Sequence, residues 1–261
     1  MLTLCLTIAR QLPIAGAREE QPQVTAFATT VDKPLTVMTY NIHSGRGIDG
    51  ILDLDRIHEV IETSGAQIVA LQEVDRWVSR TGWVDQMSNL ARRKPWHHAY
   101  GANLLLPPGF YGNALLSAYP IRDSSNVSLA SPRETRGFLR SVVEVAPGQN
   151  IAVYVTHWGL NPAEREEHAK ILVRHLGREE LPVVLMGDFN AFADSVEMRA
   201  LQEVLHDVGA KEALPTFPAD SPSHRIDYIF VSDHFEVKEV RVVDTLASDH
   251  LPVVAKLRLV R

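Results

Sequence analysis

The sequence predicts a single α/β domain in which two packed β-sheets are flanked by helices. Segments rich in β-branched and aromatic residues outnumber the helix-like segments. Several of these strands follow one another without an intervening helix, which indicates antiparallel pairs rather than a regular βαβ repeat. The chain has no internal repeat, no low-complexity segment and no second linker, so one domain accounts for most of its 261 residues.

Residues 1–33 differ from the rest and are predicted to be an extension that precedes a catalytic domain at residues 34–261. Residues 1–8 are apolar, and Ala15-Gly16-Ala17 resembles a signal-peptide cleavage site, but Arg10 follows the apolar stretch instead of preceding it. Residues 18–33 are polar and typical of a linker. A signal peptide and a disordered extension both fit, so exported and cytoplasmic locations stay open.

The domain is predicted to begin with a strand at residues 35–40, where β-favouring residues alternate. Asp53 fits the N-cap of a helix whose apolar residues recur on one face, and Gly65 fits the position just past its end. A short buried strand is predicted at 68–71 and a second helix at 84–93.

The remaining segments are predicted to be mainly strands, with two helices among them. Pro162 suits the first position of a helix, on which His168 and His175 are predicted to mark the solvated side, and Ser195 begins a short helix. Strands are predicted at 99–106, 112–117, 138–145, 151–156, 183–186, 226–231, 237–243 and 252–259.

The composition excludes several classes of function. The formal net charge of −6 argues against long duplex DNA as substrate, because nonspecific DNA binding depends on basic residues that contact phosphates. The single cysteine, Cys5, excludes an intramolecular disulfide and a zinc site built on cysteines. No apolar run reaches the length of a transmembrane helix.

Polar residues stand at the ends of the apolar strands, where they are expected to converge on one rim of a sheet. Carboxylate and amide oxygens are hard ligands that suit Mg²⁺ or Mn²⁺. Histidine and aspartate add acid–base capacity, so this set suits metal-assisted hydrolysis of a phosphoester. The residues are Asn41, Glu73, His157, Asp188, Asn190, Asp227, Asp249 and His250.

These residues lie in short motifs whose order resembles the endonuclease/exonuclease/phosphatase superfamily. Each motif is weak alone, but together they run in the superfamily's order from about residue 35 to the C-terminus. The resemblance implies a four-layer α/β sandwich of two mixed, largely antiparallel sheets packed face to face with helices outside. The motifs are Thr39-Tyr40-Asn41-Ile42, Leu71-Gln72-Glu73, Tyr111-Gly112-Asn113-Ala114, Thr156-His157, Gly187-Asp188-Phe189-Asn190, Arg225-Ile226-Asp227-Tyr228 and Ser248-Asp249-His250.

The resemblance also implies a Mg²⁺ or Mn²⁺ cofactor and a phosphoester substrate. Glu73 would be the principal metal ligand, with help from Asn41 and Asp249. Asp188 and Asn190 would orient the attacking water.

Further roles follow from the same resemblance. His157 would contact the phosphate or assist the leaving group, and Asp227 would hold His250. Arg136 resembles the phosphate-binding arginine of some members. His43 stands where apurinic-site endonucleases carry an acidic residue, which argues against a dedicated abasic-site enzyme. The candidate substrate-binding residues are Arg136, His43 and Asn113.

Three functions fit this chain. Its sequence contains no signal that indicates the oligomeric state. The first is hydrolysis of a small phosphodiester, phosphomonoester or lipid headgroup. The alternative is an endo- or exonuclease acting on DNA, which the acidic balance and the 7% aromatic content disfavour. The third is a non-catalytic binding module, against which the complete set of ligands argues. Taken singly, each residue has an ordinary structural explanation, such as a turn at Asp188 or a core histidine at His157.

Overall fold

Two six-stranded β-sheets form the centre of the computed structural model, which describes residues 33–212 and 214–260. The first sheet contains β1 (Leu35–Asn41), β2 (Ile68–Arg76), β3 (His97–Leu106), β4 (Gly109–Ser117), β11 (Phe235–Val242) and β12 (Val253–Leu259). The second contains β5 (Ile121–Leu129), β6 (Arg136–Ala146), β7 (Gln149–His157), β8 (Val183–Asp188), β9 (His206–Asp207) and β10 (Asp227–Val231). The helices are α1 (Leu54–Ser64), α2 (Gln86–Ala91), α3 (Pro162–Leu176) and α4 (Val196–Gln202).

Each sheet is mixed, with one parallel pair near its middle. The spatial orders are β11-β12-β1-β2-β4-β3 and β5-β6-β7-β8-β10-β9. The parallel pairs are β1 with β2 and β7 with β8, and all other neighbours are antiparallel. Strands β11 and β12 follow the strands of the second sheet in sequence but belong to the first sheet, where β12 lies between β1 and β11.

The space between the sheets is filled by the inward side chains of alternating strand residues. Val37 and Ile68 of the first sheet share one apolar cluster with Val153, Val184 and Ile229 of the second. All five are fully buried. Complete burial of such an aliphatic side chain stabilises a fold by about 1.5–3 kcal/mol, so this layer fixes the two sheets against each other.

The helices cover the outer faces. Asp53 caps α1 by accepting bonds from two backbone N–H groups, and Gly65 ends the helix in the left-handed conformation. Residues of α1 and α2 pack on the outer face of the first sheet, and residues of α3 and α4 pack on the second. The predicted four-layer sandwich is therefore confirmed.

Some elements differ from their predictions. Strand β5 was not predicted, because its polar sequence lies at an exposed sheet edge and gives no apolar alternation. Helix α2 is shorter than the predicted 84–93, because Asp85 acts as its N-cap. His168 was wrongly predicted to be solvated, since it is 1% exposed and bonds to the carbonyl of Ala130.

Residues 1–32 of the predicted extension lie outside the described residues. Within residues 33–212 and 214–260, no helix has the length and apolar character needed to cross a membrane.

Candidate active site

Strand ends from both sheets meet at one edge of the sandwich. In the second sheet, His157 of β7 and Asp227 of β10 are the register neighbours of Asp188, which ends β8. Gly187 permits the close approach of β7, because a Cβ there would come within 2.2 Å of the Thr156 carbonyl oxygen. Parallel and antiparallel pairing thus places three chemically active side chains side by side.

Glu73 owes its position to an irregularity in β2. The pairing of β2 with β4 shifts register between Leu71 and Val74, and Glu73 has a φ of 59°. This left-handed conformation is unfavourable for a glutamate and is typical of residues held for function. The irregularity lets the Glu73 carboxylate accept a hydrogen bond from the Asn41 amide at 3.1 Å.

Asn41 joins the two sheets at the site. Its Nδ2 donates to Glu73 and also to Asp188 Oδ2, at 3.1 and 3.0 Å. Its Oδ1 accepts the backbone N–H of His43 at 3.0 Å. The oxygen predicted to bind a metal is thus engaged locally, and the amide nitrogen bridges two carboxylates.

Asp188 is the most enclosed acid of the site, at 1% exposure. Its Oδ1 accepts the backbone N–H of Asn190 at 2.9 Å, and its Oδ2 lies 3.5 Å from His157 Nε2 and 3.7 Å from His250 Nε2. Burial raises the pKa of Asp188 to about 7, against the opposing effect of the nearby His250 charge. A carboxyl group with this pKa can exchange a proton near neutral pH.

His250 and Asp227 form a hydrogen-bonded pair. The distance from His250 Nδ1 to Asp227 Oδ2 is 2.9 Å, and Thr216 Oγ1 donates to the same oxygen at 2.6 Å. Burial alone would lower the pKa of His250, but the carboxylates of Asp227 and Asp188 outweigh it and raise the pKa to about 10. His250 is therefore positively charged at neutral pH.

His157 has the opposite character. Arg136 Nη1 lies 2.9 Å from His157 Nδ1, and Arg136 Nη2 pairs with Glu134 at 2.9 Å. Burial first, and then the charges of Arg136 and His250, hold the pKa of His157 well below its usual value. The site thus presents one neutral and one charged imidazole on either side of Asp188.

The remaining predicted residues fall in different places. Asn190 has a φ of 48° and donates to the Trp158 carbonyl at 3.0 Å, beside Asp188. Asp249 Oδ1 lies 3.6 Å from His43 Nδ1. Asn113 is buried between the sheets, where its Nδ2 donates to the Gly137 and Val155 carbonyls at 2.9 and 3.4 Å. Asn113 Nδ2 is therefore engaged in structural contacts, and the role of Asn113 in substrate binding stays a prediction.

Three buried groups could hold a cation. Asp188, Asp227 and His250 each offer one ligand atom, and these atoms all lie within 4.8 Å of one another. Asp227 Oδ1 is buried without a hydrogen-bond partner among the described residues. Glu73, which accepts a hydrogen bond from Asn41, and Asp249, which lies beside His43, offer further oxygen donors. This predominantly oxygen donor set fits a hard divalent cation.

Sequence reasoning missed residues that support the site. Thr216 is fully buried and fixes Asp227, but it lies in a segment without regular periodicity. Ser248 Oγ donates to the Asn41 carbonyl at 2.7 Å, and so ties the segment before β12 to β1. Neither contact has a local signal, because Thr216 lies outside the regular elements and Ser248 contacts a residue 207 positions away.

A cleft of about 440 Å³ opens beside Arg136. The loops that follow β5 and β7 form its walls. Its lining includes Arg133, Glu134, Leu160, Asn161 and Glu164. The cleft provides space of mixed polar and apolar character for a small group next to the buried cluster.

Comparisons with known proteins agree with this geometry. The model of the Endonuclease/Exonuclease/phosphatase family matches residues 38–250. The Escherichia coli protein YbhP is 29% identical over 256 residues, which cover 85% of this chain and 96% of YbhP.

Two solved structures share the fold. An endonuclease/exonuclease/phosphatase from Beutenbergia cavernae has a TM-score of 0.76 and 28% identity, over 87% of this chain and 72% of that one. A mannosyl-6-phosphatase from Bacteroides thetaiotaomicron has a TM-score of 0.69 and 22% identity, over 85% and 99%.

Proposed function

We propose that this chain, which belongs to the endonuclease/exonuclease/phosphatase family, uses a divalent cation to hydrolyse small substrates. The premise is that the chain is a phosphoester hydrolase. The proposed substrates are small phosphodiesters, phosphomonoesters or lipid headgroups. The observation that carries the proposal is the buried cluster in which Asp188 lies within 4 Å of His157 and His250. In this proposal the catalytic domain is residues 34–261.

Asp188 orients the attacking water and accepts its proton as the new P–O bond forms. The P–O bond to the leaving group breaks in the same displacement, and the charged His250 stabilises the departing oxygen. A carboxylate whose pKa is raised to about 7 by burial is a stronger base at neutral pH than an ordinary aspartate. Asn190 holds the other oxygen of Asp188 through its backbone N–H and so fixes the direction of the free lone pairs. Asn41 restrains the same carboxylate from the first sheet.

The histidines stabilise the charge that develops on the phosphoryl group. His250 is protonated and held by Asp227, so its Nε2–H is a charged donor aimed toward Asp188 and the space beside it. His157 contributes a neutral imidazole, backed by the buried guanidinium of Arg136. These donors are already fixed by partners and need little rearrangement when substrate binds.

Glu73 and Asp249 hold the cation in this proposal, and Mg²⁺ or Mn²⁺ suits their oxygen atoms. When bound, such a cation polarises a phosphoryl oxygen and makes the phosphorus easier to attack. Asn41 keeps Glu73 in place through the 3.1 Å hydrogen bond.

One observation favours the nuclease alternative. Trp77 and Trp83 are exposed on the loop that follows β2, and the guanidinium of Arg76 lies over the Trp77 ring at 4.1 Å. Exposed aromatic and basic side chains together are typical of surfaces that bind single-stranded nucleic acid. The acidic net charge supports the small substrate over the nucleic acid.

A substrate panel tests the proposal. It contains single-stranded, double-stranded and abasic DNA, sphingomyelin, inositol phosphates and a chromogenic phosphodiester, each with Mg²⁺, Mn²⁺ or EDTA. We expect a small phosphoester to be cleaved faster than abasic duplex, EDTA to abolish turnover, and Glu73→Ala to remove most of it.

The matched control is Glu59→Gln, which changes an exposed carboxylate on α1 and should keep wild-type turnover. Full activity in EDTA would contradict the metal requirement. A large preference for abasic DNA would contradict the proposed substrate class.

A further inference from the structure

A buried carboxylate outside the catalytic cluster anchors an arginine beside the site. Asp75, two residues after Glu73, is fully buried. Its two oxygens accept hydrogen bonds from Arg80 Nε at 2.7 Å and Nη2 at 2.8 Å. Thr81 Oγ1 donates to the Asp75 carboxylate at 3.2 Å, and the backbone N–H of Asp75 donates to the side-chain oxygen of Gln86. The loop between β2 and α2 is thus organised around one ion pair.

The Arg80 side chain also contacts the segment that follows β1 and strand β4. Its Nη2 also donates to Ser44 Oγ, and its guanidinium lies 5.3 Å from the centre of the Tyr111 ring. Burial first, and then the carboxylates of Glu73 and Glu134, raise the pKa of Tyr111 well above its usual value. Tyr111 is also the register partner of Asp75, two residues along β2 from Glu73.

Half of the Arg80 side chain is exposed, while its partner Asp75 is not exposed at all. Among the described residues, no group accepts a hydrogen bond from Arg80 Nη1. An ion pair with one buried partner contributes little net stability, because removing the Asp75 charge from water costs about as much as its attraction to Arg80 returns. The pair does fix where the guanidinium points, and its unused N–H groups remain open to a ligand.

Arg76 provides a contrast within the same loop. It pairs with Asp85 at 3.0 Å and stacks on the exposed ring of Trp77. Its other aromatic neighbour is Tyr100 of β3, and none of these contacts leads toward Glu73. The two arginines share charge and loop, but only Arg80 contacts Ser44, which follows His43, and Tyr111 of β4.

We infer that Arg80 is a specificity-determining residue that binds a second oxyanion, a phosphate or a carboxylate, on the part of the substrate that is not hydrolysed. The inference rests on the proposed function, since it assumes that a phosphoester occupies the site beside Asp188. A guanidinium recognises such an oxyanion through parallel charged hydrogen bonds. The preferred substrates are therefore small phosphoesters that carry two anionic groups.

Binding of two matched ligand pairs tests the inference without turnover. The first pair is 3-phosphoglycerate and glycerol 3-phosphate, which differ by a carboxylate. The second is glucose 1,6-bisphosphate and glucose 6-phosphate, which differ by a phosphate. Affinities are measured by calorimetry with Mg²⁺ in an Asp188→Asn background, so that hydrolysis does not interfere. We expect the ligand that carries the second anionic group to bind about tenfold tighter in at least one pair.

The variants assign that preference to one side chain. Arg80→Gln should abolish the preference, and Arg76→Gln should preserve it. Because Arg80→Gln leaves Asp75 buried without its cation, the double variant Asp75→Asn, Arg80→Gln serves if the single variant fails to fold.

The inference is overturned if neither pair shows a preference, or if the preference survives loss of Arg80. A preference for the carboxylate ligand or for the bisphosphate ligand supports the inference, and which of the two is preferred identifies the second anionic group. The substrate panel decides the proposed function separately, because absence of all turnover would refute that function whatever the binding results.

Discussion

Asp227 and His250 differ from an ordinary surface ion pair because both are buried and share one short hydrogen bond. A paired, charged histidine next to a phosphoryl group combines orientation with charge stabilisation. Asp227→Asn removes the carboxylate that keeps His250 charged. We expect turnover to fall by about 10²-fold or more, in the range of a lost acid–base group.

The double variant with His250→Ala separates catalysis from packing. If the two residues act as a unit, the combined loss is much smaller than the product of the single losses. Melting temperatures of all three variants provide the control. Multiplicative losses of turnover, or an Asp227→Asn enzyme with normal turnover and only a lower melting temperature, would assign the pair a structural role.

Prediction from sequence succeeded best for side chains that end a strand. Asp188, His157 and Asp227 were placed together because strand ends meet at a sheet edge, and they do lie together. The contacts of Asn41 and Asn113 could not be predicted in the same way. An amide can donate or accept, and which it does is decided by groups on the other sheet.

At the scale of elements, the irregularity in β2 has a measurable cost. An ordinary residue with φ near 59° is strained, whereas asparagine tolerates this conformation better than alanine. We expect Glu73→Asn to be more stable than Glu73→Ala by about 1 kcal/mol, because both lose the carboxylate and differ mainly in backbone preference.

Urea unfolding of the metal-free variants measures that difference. Wild type should be less stable than Glu73→Asn, since it also carries the acidic side chain beside Asp188. An alanine variant as stable as the asparagine variant would show that position 73 is not strained.

Helix α3 carries a pH-sensitive contact on its buried side. Burial lowers the pKa of His168, despite its hydrogen bond to the Ala130 carbonyl. The folded protein therefore binds fewer protons than the unfolded chain just below the unfolded pKa of about 6.5. The stability that His168 contributes is present above that pH and is lost as the pH falls through the lower folded value.

We expect the stability difference between wild type and His168→Gln to be larger at pH 7.5 than at pH 5. His175→Gln is the matched control, because His175 is exposed on the same helix. Chemical unfolding at several pH values measures both. Identical pH slopes for wild type and His168→Gln would contradict the prediction.

At the scale of the whole molecule, polar side chains connect the two sheets. Asn113 of β4 donates to two carbonyls of the second sheet and is 1% exposed. Asn113→Ala should lower the free energy of unfolding by about 1–3 kcal/mol, because two buried carbonyl groups each lose one donor. Asn126→Ala is the control, since Asn126 makes a similar inter-sheet bond to the Ala102 carbonyl at an exposed edge.

Denaturant unfolding compares these two variants, and we expect the loss at Asn126 to be the smaller one. Equal losses would show that burial does not decide the value of these bonds. The sequence predicted two packed sheets but not the side-chain hydrogen bonds that join them. Asn113 was assigned to substrate because its motif resembles one found at active sites, whereas its role depends on which strand lies opposite.

The position of β12 has a consequence for synthesis. This strand follows the other eleven described strands in sequence, yet it lies between β11 and β1, and Ser248 just before it bonds to Asn41, 207 positions earlier. While the ribosome is still adding residues, β1 has only β2 as a neighbour and presents an open edge that can pair with another chain. Asp249 and His250 reach their places only when that edge closes. The open edge of β1 therefore persists during synthesis until β12 pairs with it, and the proposed site is assembled only at that step.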